Sequence, residues 1–175
     1  MRYLKGTNRL MRKLFIIICA LLLLSGCGAK EAPAETPFPS DTAESFIFNA
    51  GGTEIEINAE GDPIIEALGE PLGYFETESC AFEGIDKTYT YSGFELTLYP
   101  DEDGAYRVWS VFFTDDTVET PEGIGLGSSL DEVLSAYGND YTEASGQYVY
   151  LKGETRLIFI VADGKVTSIE YSLNY

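Results

Sequence analysis

The spacing of apolar positions changes several times along the chain, and each spacing predicts an element. Phe46-Ile47-Phe48 and Thr53-Glu54-Ile55-Glu56-Ile57 flank Asn49-Ala50-Gly51-Gly52. Ile55 and Ile57 alternate with Glu54 and Glu56, the period of a half-buried strand, and Gly51-Gly52 supplies a permissive turn, so a β-hairpin is predicted. Gly61-Asp62-Pro63 then opens a short helix. Asp62 suits the N-cap, Pro63 the first helical position, and Gly69 with Pro71 the end, while Ile64, Ile65 and Leu68 form the apolar stripe. Strands follow at 87–91, 94–99 and 106–113, with turns at Ser92-Gly93 and Asp103-Gly104. Residues 72–86 show no decisive period.

A second stretch has the same order. Ser129-Leu130-Asp131-Glu132 reads as a capping box, and Leu130, Val133, Leu134 and Tyr137 share one helical face that Gly138 closes. Strands are predicted at 147–151, 155–161 and 165–173, the last turn at Asp163-Gly164. The two stretches can be laid over each other: Leu68-Gly69 on Tyr137-Gly138, Tyr89-Thr90-Tyr91 on Tyr148-Val149-Tyr150, and Asp103-Gly104 on Asp163-Gly164. The expected class is therefore α+β: two tandem repeats, 46–117 and 118–175, each a short helix plus a three-stranded antiparallel meander. Neither repeat alone buries a sufficient core, so 46–175 is expected to be one compact unit with both helices on one face of the sheet.

The run Gly127-Ser128-Ser129-Leu130-Asp131-Glu132-Val133 to Tyr137-Gly138, with Asp163-Gly164-Lys165-Val166-Thr167-Ser168-Ile169, resembles two groups of proteins. One is the β-lactamase inhibitor protein family, with tandem helix-plus-sheet units. The other is the small lipoprotein of the outer-membrane barrel assembly machinery. The resemblance covers 118–175 best and implies a non-enzymatic, protein-binding lipoprotein; no individual binding residue carries over.

The first residues have a different logic. Residues 1–13 carry Arg2, Lys5, Arg9, Arg12 and Lys13 and no acid, and Leu14–Leu24 is an unbroken apolar run of 11 residues. A bilayer-spanning helix needs about 20, whereas a cationic start followed by a short apolar core describes a secretory signal. Leu24-Ser25-Gly26-Cys27 resembles the lipobox of bacterial lipoproteins. That resemblance implies a signal peptide over 1–26, cleavage before Cys27 and a diacylglycerol on its sulfur. The partner of Cys27 is then membrane lipid, and the location is the extracytoplasmic face of the cell membrane. Residues 27–45, the lipidated Cys and a segment with Pro33, Pro37 and Pro39 among Ala, Glu, Ser and Thr, are expected to be a disordered tether.

Charge narrows the partners. The 175 residues hold 11 Lys+Arg, 29 Asp+Glu and no His. Cleavage removes five cations and no acid, leaving six against 29, a net −23. Nucleic acid is excluded for want of a cationic footprint, and the absence of His removes imidazole bases and ligands. Asp101-Glu102-Asp103-Gly104 is too short for a calcium loop, and Gly123-Ile124-Gly125-Leu126-Gly127 fits no nucleotide-loop spacing. Cys80, flanked by Glu78 and Glu83, reads as a buried core thiol. No metal or other cofactor is expected. The aromatic content, with 12 Tyr, 10 Phe and one Trp, is the stronger signal. Tyr89 and Tyr91 share a strand face, as do Tyr148 and Tyr150, and 106–113 is apolar on both faces around Trp109. These five are the candidate partner-binding residues, on a sheet face left uncovered by the helices. The reading is a non-enzymatic envelope module that binds another protein. Two alternatives stay open: an inhibitor of an extracellular hydrolase, and a cell-wall-directed enzyme using paired carboxylates.

Overall fold

A computed structural model describes residues 45–80 and 83–174, all within a compact unit running from Asp41 to Tyr175. The expected signal peptide (1–26), Cys27 and all of the expected tether except Ser45 lie outside the described residues. The chain makes β1 (Ile47–Ala50), β2 (Thr53–Glu56), α1 (Gly61–Leu68), β3 (Gly73–Glu78), β4 (Ile85–Tyr91), β5 (Phe94–Pro100) and β6 (Tyr106–Phe113). Then follow α2 (Leu130–Tyr137), β7 (Thr142–Ala144), β8 (Gln147–Lys152), β9 (Thr155–Ala162) and β10 (Lys165–Leu173).

β1 and β2 pair only with each other. The other eight strands form one sheet in the order β3-β4-β5-β6-β10-β9-β8-β7, antiparallel throughout. The expected α+β class is thereby corrected. The fold is mostly β, 50% strand against 12% helix. A single broad sheet, not a pair of helix-plus-three-strand α/β units, is its architecture. The discrepancy comes from β3 and β7, which close the two edges of the sheet. Almost all their side chains are exposed, so neither has the apolar alternation that marks a strand in sequence.

The hairpin and both helices pack on one face. Phe48 and Ile55 are fully buried, and the Phe48 ring centroid lies 5.1 Å from Phe94, 5.0 Å from Phe113 and 6.0 Å from Tyr171. α1 contributes Ile64 and α2 contributes Val133 to this core. At α1 the approach is so close that a Cβ on Gly61 would stand 2.5 Å from a Leu98 methyl. The residue before α1, Glu60, offers no capping side chain, so Asp62 sits in the first turn instead of at the cap. α2 has the predicted cap in full: Ser129 Oγ accepts from Glu132 N, and the Glu132 carboxylate accepts from Ser129 N at 2.7 Å.

Two register shifts tie the helix starts to the sheet. In β6, Trp109 is an extra residue between the pairs Leu98↔Val108 and Thr97↔Ser110. In β10, Thr167 is extra between the pairs of Val166 and Ser168. Such bulges turn local backbone out of the ladder. Val108 N donates to Ala59 O at 3.0 Å, and Val166 N to Ser128 O at 2.8 Å, just ahead of α1 and α2. β6 and β10, which join the two halves of the sheet, share only three residue pairs, centred on Val111↔Tyr171.

Candidate functional site

Directly opposed residues in an antiparallel sheet point to the same side, so the register assigns each side chain to a face. Leu96 opposes both Tyr89 and Val111, and Tyr171 opposes both Val111 and Leu157. That set lies under the hairpin and helices. The alternate set has no helix or hairpin over it among the described residues. This bare face is the candidate site.

Its centre is polar. One row across the sheet runs Thr88, Thr97, Ser110, Ser172, Arg156. Thr88 and Thr97 hydroxyls are 3.2 Å apart, and Arg156 Nε donates to Ser172 Oγ at 2.9 Å. Ser110 and Ser172 are short enough to be buried beneath their neighbours. The adjacent row runs Glu95, Phe112, Glu170, Ile158. Burial pushes the Glu170 carboxyl above the usual carboxylate range, and the Arg156 charge opposes the shift in part. Around this polar centre the same face exposes apolar side chains: Phe112 at 39%, Ile160 at 41%, Leu151 at 57% and Phe75 at 65%. The arrangement offers hydroxyl donors and acceptors, one guanidinium and one partly desolvated carboxyl, flanked by rings and aliphatic groups. Such a surface can bind a macromolecule with mixed polarity.

The tyrosines singled out in the sequence are elsewhere. Tyr89, Tyr91, Tyr148 and Tyr150 share a face as expected, but it is the covered one. Tyr91 and Tyr150 are buried. Their hydroxyls donate to the carbonyls that end the helices, Tyr91 to Gly69 O at 3.4 Å and Tyr150 to Gly138 O at 3.0 Å. Burial raises both phenol pKa values. Tyr89 and Tyr148 are half-buried and lie tilted against Tyr74 and Tyr141, with ring centroids 5.0 and 5.1 Å apart. The signal was available: in Thr88-Tyr89-Thr90-Tyr91 the threonines alternate with the rings, and the more apolar side of such a strand faces the core. Trp109 is half-buried in the β6 bulge, edge-on to Tyr99 at 5.9 Å.

Cys80 is a free, exposed thiol in the connection after β3, not the core residue expected. Asp101 builds the β5–β6 turn: its carboxylate accepts from Asp103 N and Ala105 N and from Arg107 Nε at 2.9 Å. Those partners, Arg107 foremost, hold it below the usual carboxylate range. Among the described residues, no group of three or more Cys, Asp or Glu is placed to hold a metal ion. No family model matches the chain, and no curated protein or solved structure matches it either.

Proposed function

We propose that the chain is a lipid-anchored, extracytoplasmic, non-enzymatic binding module that engages another protein of the cell envelope. The observation that carries the binding half is the bare face, where Phe75, Phe112, Leu151 and Ile160 stand in solvent around a polar centre. A monomer gains nothing by exposing apolar groups there, whereas a partner would remove them from water at about 25 cal/mol per Å². The Thr88 and Thr97 hydroxyls bond to each other and Ser172 accepts from Arg156, and a chain without His has no imidazole to activate any hydroxyl of the row. Glu95 and Glu170 flank Phe112 side by side on one sheet face. That arrangement suits recognition better than the facing carboxylates of a hydrolase.

The anchoring half rests on Leu24-Ser25-Gly26-Cys27. Intact mass of the membrane-extracted protein is expected to show loss of residues 1–26 and an acylated Cys27, and Cys27→Ser to release the protein from membranes. An unmodified thiol would overturn the anchor. For binding, the natural chain and the Leu151→Asp/Ile160→Asp double variant are compared as baits for crosslinked envelope proteins. A partner held by the natural chain and lost by the folded variant supports the reading. Equal recovery with both refutes the bare face as the site.

A further inference from the structure

We infer that the outer edge of β3 accepts an extended cationic segment of a partner protein as a ninth strand. The inference goes beyond the bare face and does not depend on the lipid anchor.

The two edges of the sheet are unlike. β7 is three residues long, a length that offers little to pair with, as is usual for a protected edge. β3 is six residues long and, among the described residues, pairs only with β4. Ser79 N donates to Gly84 O at 3.0 Å, which makes that pair a hydrogen-bonded one. Bonded pairs alternate along an antiparallel ladder, so Thr77 and Phe75 turn their backbone groups toward β4, while Glu76 and Glu78 turn theirs outward. Unpaired donors and acceptors at this spacing are a template for strand addition.

The side chains specify what is added. Glu76 and Glu78 point to one side of β3, both exposed, and Phe75, the most exposed ring of the described chain, points to the other. Lys87 lies directly across from Glu76, but its ammonium is turned onto the Tyr106 ring, 3.6 Å from the centroid. Glu76 accepts from the Tyr74 hydroxyl. Neither carboxylate has a cationic partner among the described residues. An added strand with Lys or Arg at alternate positions would oppose both acids, and its intervening apolar residues would cover Phe75. The described residues carry 25 acids and five cations. This charge favours a basic strand and opposes a second copy of the chain. Pairing β3 with its own copy about Glu76 or Thr77 would also set acid against acid, which is destabilising.

The test uses the full-length chain in uncharged detergent. The probes are fluorescent eight-residue peptides alternating Lys with Val, Glu with Val, and Lys with Val N-methylated at the Lys amides. The Lys-Val peptide is expected to bind, to weaken with salt, and to slow amide exchange in 72–79. The N-methylated peptide, equal in charge but unable to donate to β3 when its Lys residues oppose the two acids, and Glu-Val are expected to bind at least tenfold more weakly. Glu76→Pro deletes an outward N–H and leaves the β3–β4 bonds intact, so it should abolish the protection with the circular dichroism unchanged. Glu76→Gln/Glu78→Gln should weaken binding on the order of tenfold. Equal binding of the two cationic peptides, or protection persisting in Glu76→Pro, would overturn the inference. So would protection of 72–79 without peptide in a chain that sediments as a dimer, since a second copy would then hold the edge.

Discussion

Replacing Phe48 by Ala tests how the hairpin is held. β1 and β2 are four residues each and add no strand pairing to the large sheet; hydrogen bonds reach it at their flanks, from Phe46 N to Thr155 Oγ1 and from Asn58 N to Val108 O, so packing holds the strands themselves. Phe48 is fully buried among Phe94, Phe113 and Tyr171. Truncating such a ring costs about 3–5 kcal/mol in lost transfer and cavity energy. A domain of this size is stable by roughly 7–20 kcal/mol at about 0.05–0.15 kcal/mol per residue. The variant should therefore remain folded with a large fraction of its stability gone. With a urea slope of about 2 kcal/mol/M, the unfolding midpoint should fall by about 2 M. The neighbouring Ile47 points the other way and is 38% exposed, so Ile47→Ala should move the midpoint by less than about 0.5 M. Urea unfolding followed by tyrosine fluorescence reads both. Similar shifts for the two variants would show that the hairpin is not pinned by Phe48, and the proposed core would be wrong.

Two further outcomes follow from the site and the cap. Glu170→Gln should stabilise the protein at pH 7. A carboxyl whose folded pKa is raised above its unfolded value loses stability as pH climbs from the unfolded to the folded pKa, so the gain should vanish below about pH 4. A gain independent of pH in thermal melts would refute the desolvation of Glu170. Ser129→Ala removes the hydroxyl that accepts from Glu132 N and should cost about 1 kcal/mol, again by urea midpoint. No loss would mean that the helix start is held by its backbone bonds to Gly164 and Val166 without help from the hydroxyl.

The central strands were legible because one side of each is apolar and the other is not. The strands at 106–113 and 165–173 were placed to the residue, and the capping box at Ser129 marked the start of α2. The edges were not legible. Tyr74-Phe75-Glu76-Thr77-Glu78 pairs with β4 yet is exposed on both sides, so its strand nature comes from a partner distant in sequence and not from any local period. The site failed for a related reason. Period-two alternation groups Tyr89 with Tyr91 but does not say which side the helices cover. That depends on where Phe48, Ile64 and Val133 land, which is a tertiary fact. Arg156 and Glu170 were invisible as a pair because their proximity arises from the β9–β10 register, across 14 positions of sequence.

The narrow join between β6 and β10 has a mechanical consequence. Only three residue pairs stitch the two halves there, and Phe48 lies across that seam, touching Phe94 and Phe113 on one side and Tyr171 on the other. Any tension arriving through the residues before Ser45 enters at β1, where Phe46 N is moored to Thr155 Oγ1 at 3.0 Å, and reaches Phe48 two residues later. Tugging on the N-terminal side would draw out the ring that spans the seam before it strained any ladder of the sheet. A pull from that direction would therefore loosen the join between two four-stranded leaves while each leaf stayed zipped.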